Sequence, residues 1–264
     1  MIVAAGADVS SGIDDGGRDA SVLCWICGSD ADSAEHKTKR SDLKAVFGRP
    51  TQAQPLFFHD QTRKNRRVGS LDAKLLKSPG RICHFCNSTR TQPHDRAWEA
   101  LSKFLHDHPE ITPGSMLRGN RVFPYNTRQQ MLDVHLFFAK LFGCLILEGD
   151  LRIDAGGFSS AIILGRAHPH FHLKFGRPST EERITAGRSD VWAWPTTINA
   201  PATFATWFYC LPHVWVNVMF AAPGEKREGL VGAWHPRNAD KNLRLADFQY
   251  NDEARPLGMT QDEQ

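Results

Sequence analysis

The apolar residues in the second half of the chain form one long run followed by several short ones. Residues 131–147 are apolar on nearly every face of a helix, which predicts a core helix, and Thr127 with Gln130 forms a capping box before it. The later short runs, separated by Pro and Gly, predict strands over 158–164, 168–175, 191–194, 204–211, 214–222 and 230–234. This half of the chain is therefore predicted to be one long helix packed on an antiparallel sheet of roughly five or six strands.

The apolar clusters of the first half are shorter and are separated by polar residues. They predict a short helix over 41–47 with Ser41 as its N-cap, a strand over 56–58 and a helix over 97–105. Pro93 is expected at the first position of that last helix or at a kink in it, because proline lacks the N–H that a helix interior needs.

The distribution of Pro and Gly divides the chain into units. Residues 106–120 contain two prolines and two glycines and form the best candidate boundary. Residues 1–20 and 251–264 lack a periodic pattern and are predicted to be disordered tails. We therefore predict an α+β chain with one unit over 21–110 and a helix-plus-sheet unit over 120–250.

The composition is that of a soluble globular protein, with 41% hydrophobic and 23% charged residues. The longest apolar run, 136–147, is interrupted by Lys140 and is too short to span a bilayer. Residues 1–5 lack the basic leader of a signal peptide. We therefore expect a cytoplasmic protein that does not bind membranes.

Four of the six cysteines form two Cys-x-x-Cys pairs, Cys24 with Cys27 and Cys83 with Cys86. Two thiolates three positions apart can bind one face of a tetrahedral ion, and a second pair completes its coordination, which predicts a bound Zn²⁺. Four cysteines leave no open coordination position, so this zinc would be structural. The 55 residues between the pairs are more than a zinc knuckle needs and are expected to carry structure or a binding loop.

An acid–histidine pair and an asparagine accompany these cysteines. Glu35-His36 follows the first pair, and Asn87 directly follows the second. The same order is found in the zinc-braced branch of the HNH (ββα-metal) nucleases, typified by phage recombination endonuclease VII, and the chain resembles that branch over about its first 110 residues. The resemblance implies a treble-clef-like ββα zinc module in the N-terminal unit.

The resemblance also implies a function, the cleavage of DNA phosphodiester bonds with one divalent cation. His36 would be the general base that takes a proton from water, while Glu35 and Asn87 would hold Mg²⁺ or Mn²⁺ against the scissile phosphate. Oxygen ligands from Glu and Asn suit such hard cations.

The chain departs from that branch at three places. Glu35 stands where Asp is more usual, and residues 37–40 replace a Gly-rich turn after the histidine. Pro93 interrupts the helix that commonly supplies a further metal ligand. The candidates for that ligand are Gln92, His94 and Asp95.

Basic residues are concentrated around this motif. Residues 36–96 contain 14 Lys and Arg against 4 Asp and Glu, whereas the whole chain has a net charge of only +3. A basic surface of this kind would suit the phosphates of DNA. The residues most suited to contact phosphate, in a loop that could equally be solvated without a partner, are Arg63, Lys64, Arg66 and Arg67.

Two further groups of residues could carry chemistry but have simpler interpretations. His168, His170 and His172 alternate along a predicted strand and could bind a transition metal, although a polar sheet face is favoured. The aromatic residues of the later strands could stack on bases, but their place in alternating apolar runs favours core packing.

Three functions follow from these observations. The first is a metal-dependent HNH-type endonuclease. The alternatives are a zinc module that binds nucleic acid without cleaving it and a zinc-stabilised scaffold for a partner. The sequence leaves the oligomeric state open.

Overall fold

The computed structural model describes residues 22–59, 63–79, 81–178, 185–195, 200–236, 241–248 and 258–260. The helices are α1 (Arg40–Phe47), α2 (Gln92–Asp107), α3 (Gly119–Val122), α4 (Thr127–Glu148) and α5 (Ala155–Leu164). The strands are β1 (Leu56–Phe58), β2 (Arg66–Val68), β3 (Met116–Arg118), β4 (Phe171–Pro178), β5 (Thr185–Arg188), β6 (Trp192–Trp194), β7 (Phe204–Leu211), β8 (Val214–Ala221), β9 (Asn242–Arg244), β10 (Ala246–Phe248) and β11 (Gly258–Thr260). Shorter turns are the 3₁₀ segments Lys74–Leu76 and Glu228–Leu230 and the π-helical segment Phe85–Arg90. The mixture of helix and sheet confirms the α+β class.

Most of the strands belong to one sheet. Its order is β10-β4-β8-β7-β5-β11-β1-β2, with β6 paired to β7, and β3 pairs separately with β9. The neighbours are antiparallel except for β10 and β4, which are parallel. The hairpin β1–β2 comes from the first half of the chain and meets the later strands through β11. One sheet therefore combines strands from both predicted units.

Helix α4 lies in the core against this sheet and α2. It is long and apolar enough to cross a membrane, but 83% of its most apolar stretch is buried inside the fold. At its contact with α2, Trp98 stacks on Phe137 with ring centroids 5.4 Å apart and meets the edge of Phe138 at 4.9 Å. Tyr209 of β7 closes the same aromatic cluster, 5.5 Å from Trp98. The predicted core helix is thus confirmed.

The hydrophobic core is shared by the two halves of the sequence. One cluster of buried residues extends from Leu43 on α1 through α2 and α4 to Leu245. A second, smaller cluster joins the cysteine segments to Leu136 of α4 and Ile162 of α5. The division into separate units at 106–120 stays a prediction, and packing is continuous across it.

Two predicted strands are wrong. Residues 158–164 belong to α5, whose first turn is capped by the Asp154 carboxylate, which accepts from the N–H groups of Gly156 at 2.9 Å and Gly157 at 3.1 Å. A short apolar run does not distinguish a buried strand from a buried helix, and the cap decides it here. Leu230 ends a 3₁₀ turn instead, and of the predicted strand 230–234 only Trp234 bridges to β4.

Helix starts also differ from the predicted caps. Helix α1 begins at Arg40, and the Ser41 hydroxyl donates to Glu99 instead of capping the helix. The predicted capping box at α4 is absent, because the Thr127 hydroxyl donates back to the Phe123 carbonyl at 2.7 Å. Pro93 does stand in the first turn of α2, as predicted.

The predicted tails have different outcomes. Residues 1–20 lie outside the described residues. Within 251–264 the structure describes β11, which pairs with β1 and β5, so this part of the predicted disordered tail is a strand.

Gly143 on α4 makes room for the first cysteine pair. A Cβ atom at this position would collide with the ring of Trp25, which lies between Cys24 and Cys27. The absence of a side chain on α4 therefore lets this segment dock directly on the core helix.

Asp42 is a buried carboxylate that connects three elements. It lies on α1 and accepts hydrogen bonds from Trp98 Nε1 of α2 at 2.7 Å and from the Tyr209 hydroxyl of β7 at 2.6 Å. The Lys39 backbone N–H donates to the same hydroxyl at 2.9 Å. Burial raises the pKa of Asp42 to about 6, and these hydrogen bonds oppose that rise.

Replacing Asp42 with alanine is expected to destabilise the fold by about 3 kcal/mol, because the donors of Trp98 and Tyr209 would remain buried without an acceptor. Urea unfolding measures this change in the free energy of unfolding. Asp72→Ala is the control, since Asp72 is an exposed acid that pairs with Arg40 and its loss should cost far less stability. Equal losses for the two variants would contradict the assigned role of Asp42.

His213 gives the fold a dependence on pH. His213 Nε2 forms a hydrogen bond with the Ser102 hydroxyl, 2.9 Å away. Burial lowers the pKa of His213 to about 4, below the unfolded value of about 6.5. Between these values the unfolded chain binds more protons, so the stability contributed by neutral His213 is full above pH 6.5 and is lost as pH falls towards 4. The stability difference between the native protein and His213→Gln should therefore shrink between pH 7 and pH 4.5 in urea unfolding, and a constant difference would contradict this.

Candidate metal centre and the adjoining acid–histidine site

The four predicted cysteines converge. The sulfurs of Cys24, Cys27, Cys83 and Cys86 all lie within 4.8 Å of one another. The Sγ atoms of Cys27 and Cys83 are 3.6 Å apart, close to the roughly 3.8 Å expected between thiolates 2.3 Å from one tetrahedral Zn²⁺. Among the described residues this is the one group of three or more Cys, His, Asp or Glu side chains arranged to hold a metal.

Local backbone turns position these sulfurs. Gly28 has φ of 76° and its N–H donates to the Cys24 carbonyl, which closes the first knuckle. At the second knuckle, the Cys86 N–H donates to Cys83 Sγ at 3.4 Å, and Arg90 Nη1 donates to Cys86 Sγ at 3.1 Å. Donors aimed at sulfur favour thiolates, as metal binding requires. The chain therefore has a four-cysteine cluster suited to a structural metal.

The first knuckle leads into the segment that carries Glu35 and His36. This segment runs antiparallel to residues 76–82, with bridges from Ser33 to Ile82 and from His36 to Lys77. The chain then passes directly into Cys83. Two segments joined by isolated bridges and the following helical turn thus carry or adjoin the cysteine cluster, and the ββα arrangement stays a prediction.

Asn87 is attached to the same segment. Its side-chain Nδ2 donates to Ser33 Oγ at 3.0 Å and to the Ala34 carbonyl at 3.3 Å. Asn87 and the Glu35-His36 pair are therefore brought together through the backbone. The amide group of Asn87 clamps the turn that precedes the pair.

His36 has one ring nitrogen fixed and one available. Its Nε2 lies 3.0 Å from the Leu71 carbonyl. A carbonyl only accepts, so Nε2 carries the proton, and the neutral ring then has a lone pair on Nδ1. No hydrogen bond to Nδ1 is found among the described residues. Burial lowers the pKa of His36, which keeps the ring neutral at pH 7.

Glu35 is buried and has both oxygens engaged. Its Oε1 accepts from the His36 backbone N–H at 3.2 Å, and its Oε2 lies 2.7 Å from Lys140 Nζ. The Lys140 ammonium also contacts Asp95 Oδ1 at 2.9 Å and is itself fully buried. Burial alone would lower the pKa of Lys140, but the carboxylates of Glu35 and Asp95 outweigh it and raise that pKa.

The three candidates for a further metal ligand lie in different surroundings. His94 Nδ1 is bound to Asp133 at 2.9 Å, and Gln92 is exposed at the start of α2. Asp95 alone reaches Glu35, but through the ammonium of Lys140. As arranged, the residues therefore do not fit a divalent ion held by Glu35, because a lysine already neutralises that carboxylate.

A small cavity lies beside the acid–histidine pair. Its volume is about 10 Å³, roughly the room that one water molecule needs. Glu148 lines it together with His36 and binds Lys37 at 3.0 Å and Arg188 at 3.1 Å. The space is large enough for one water molecule close to the Glu35-His36 pair.

The predicted phosphate-contacting residues lie on the β1–β2 hairpin. Arg63, Lys64 and Arg67 are exposed and Arg66 is half-buried. Arg67 Nη2 donates to the Gln52 carbonyl at 3.3 Å. Most of this basic run faces solvent and is accessible to a large partner.

The predicted histidines of the second half lie at the start of β4, around the buried Phe171. His168 is buried, whereas His170 and His172 are half-buried beside the inward-facing Phe171 of β4. The buried His135 of α4 joins them, and its Nε2 accepts from the His168 N–H at 3.2 Å. These rings do not form a group of converging metal ligands among the described residues.

The aromatic residues of the later strands divide between core and surface. Trp207 and Tyr209 are fully buried, whereas Trp192 and Trp194 are each 37% exposed. Core packing thus holds for the centre of β7, and the edge strand β6 keeps part of its aromatic surface in solvent.

Sequence reasoning missed Lys140. In the sequence, Lys140 only interrupts the apolar run 136–147. A single ammonium in a helix that is otherwise apolar on every face must be neutralised by a buried acid, and this requirement was the available signal. The acids it selects are Glu35 and Asp95.

No family model matches the chain, and neither a curated protein nor a solved structure matches it.

Removal of the metal is expected to destabilise the N-terminal segments, because four clustered thiols without an ion no longer hold the two cysteine pairs together. The purified protein should contain one metal ion per chain, and Cys83→Ser should lose the ion and melt at lower temperature. Elemental analysis and thermal unfolding measure both effects. Cys210→Ala is the control, since Cys210 is a buried thiol outside the cluster and should leave the metal content unchanged.

Proposed function

We propose that the protein hydrolyses phosphodiester bonds in DNA with His36 as its general base. The observation that carries this proposal is the 3.0 Å contact between His36 Nε2 and the Leu71 carbonyl, which fixes the tautomer and leaves Nδ1 able to accept a proton. The bridges that join the Glu35-His36 segment to the residues before Cys83, and the attachment of Asn87 to that segment, support it.

In this reaction Nδ1 of His36 takes a proton from water. The water oxygen forms a bond to phosphorus while the bond from phosphorus to one sugar oxygen breaks. The leaving oxygen takes a proton from solvent, and the imidazolium returns its proton to solvent. Glu35 accepts from the His36 N–H and Asn87 clamps the preceding turn, so both hold the base in place.

We infer that the ion in the cysteine cluster is Zn²⁺, because four thiolates at tetrahedral spacing select it. Its part would be structural, since all four coordination positions are taken by sulfur. It would fix the two segments that bring Glu35-His36 and Asn87 together. The binding of Mg²⁺ or Mn²⁺ by Glu35 and Asn87 stays a prediction, and the ion pair of Glu35 with Lys140 does not favour it.

The exposed basic residues of the β1–β2 hairpin are the proposed contacts for the DNA backbone. Arg63, Lys64 and Arg67 face solvent and lie in the most basic part of the chain. Contacts of this type carry no sequence information, so binding should be general for DNA and should weaken with salt.

Nicking of supercoiled plasmid tests the enzymatic function. The protein is incubated with plasmid in Mg²⁺, in Mn²⁺ and in neither, beside His36→Ala and the control His106→Ala, an exposed histidine of α2. Loss of the base should slow nicking by about 100-fold or more, and the control should nick at the native rate. Equal nicking by native protein and His36→Ala on every DNA form would refute the proposal.

The second candidate function is DNA binding without cleavage. The ion pair of Glu35 with Lys140 favours it, because it occupies the carboxylate that metal-dependent cleavage would use. If nicking is absent while DNA retention falls with salt and with Arg66→Ala/Arg67→Ala, this second function is the better one. If DNA is not retained either, the scaffold function remains.

A further inference from the structure

Two acidic side chains from distant parts of the sequence meet at one buried cation. Lys140 Nζ lies 2.7 Å from Glu35 Oε2 and 2.9 Å from Asp95 Oδ1. The lysine side chain has no exposed surface, and the acids are 7% and 14% exposed. Lys39 Nζ also contacts Asp95 Oδ1, at 3.2 Å, so Lys140 is the cation that joins the two acids in an enclosed site beside the proposed base.

A divalent ion could not share these carboxylates with the ammonium. An ion bound to both acids would lie about 3–4 Å from Lys140 Nζ, and two cations at that distance in a poorly solvated site repel each other strongly. The other oxygen of Glu35, Oε1, already accepts from the His36 N–H at 3.2 Å. The ammonium and a divalent ion are therefore alternatives at this position.

We propose that Lys140 is the resident cation of this site, with its ammonium in the place between Glu35 and Asp95 that a divalent ion would otherwise take. Glu35 then binds no Mg²⁺ or Mn²⁺ in the native protein. Its task is to hold the His36 backbone, and Lys140 is a positioning residue that acts through Glu35. The assignment of the cation stands on the ion-pair geometry alone, and its link to catalysis rests on the proposed function.

The chain itself offers the variants that separate these alternatives. Lys140→Met removes the charge while keeping a long unbranched side chain. It should leave a gap in which Glu35 has no cation, while Asp95 keeps its contact with Lys39. Lys39→Met is a matched control, because Lys39 also contacts Asp95, at 3.2 Å, but does not contact Glu35. Lys140→Met/Glu35→Gln removes one of the two carboxylates from the gap.

Binding of Mn²⁺ to the metal-loaded protein is measured by electron paramagnetic resonance of the free ion. Neither the native protein nor Lys39→Met should bind Mn²⁺ at Glu35. Lys140→Met should gain one Mn²⁺ per chain and a higher melting temperature in Mn²⁺, and the double variant should lose both gains. Retention of the cysteine-bound metal checks that each variant is folded.

Two results would overturn the inference. The first is binding of Mn²⁺ by the native protein that disappears in a folded Glu35→Gln variant. The second is a folded Lys140→Met that binds no more Mn²⁺ than the native protein. If Lys140→Met does not fold, the comparison of native protein with Glu35→Gln decides alone.

The plasmid assay keeps this inference distinct from the proposed function. Nicking that depends on His36 and persists without added divalent ions would support both. Nicking that depends on His36 but requires Mg²⁺ and Glu35 would overturn the resident cation and leave the nuclease in place. Absence of nicking would refute the nuclease, while the Mn²⁺ measurements would still decide whether Lys140 is the cation.

Discussion

The burial of one ammonium group constrains how the two halves of the chain meet. Lys140 lies in the middle of the apolar helix α4, where an unpaired charge would cost several kcal/mol. Only acids brought from elsewhere can offset that cost, and Glu35 and Asp95 do so from the segment after the first knuckle and from α2. Because each contact is short, the knuckle segment, α2 and α4 have little freedom to shift relative to one another.

The cysteine cluster and the aromatic core complete this arrangement. The cluster joins Cys24 and Cys27 to Cys83 and Cys86 across a long insert, and its buried side packs on α4 and α5. Trp98 and Tyr209 then connect α2 and β7 to Asp42 on α1. The acid–histidine segment thus lies between the four-cysteine cluster and the ion pair of Glu35 with Lys140, and the buried carboxylate of Asp42 fixes helix α1, which follows it.

Much of the fold could be predicted from periodicity, but the side-chain contacts between residues distant in the sequence could not. Residues 204–211 and the core helix were predicted because alternation and all-round apolarity are local signals. Residues 158–164 were mistaken for a strand because an apolar run of seven fits both structures until its Asp cap is recognised. The cysteines and Asn87 could be found by spacing, whereas the partner of Glu35 lies 105 positions away in sequence and no local pattern points to it.

Gly143 couples the substitutions that are tolerated at two positions far apart in the sequence, 143 and 25. Any side chain there would collide with the ring of Trp25, so enlargement of residue 143 requires a smaller residue at 25 or displacement of the knuckle. Related chains that keep this docking should therefore vary at the two positions in a correlated way, with bulk exchanged between the helix and the loop. The segment that carries Cys24 and Cys27 thus limits which substitutions helix α4 can accept during evolution.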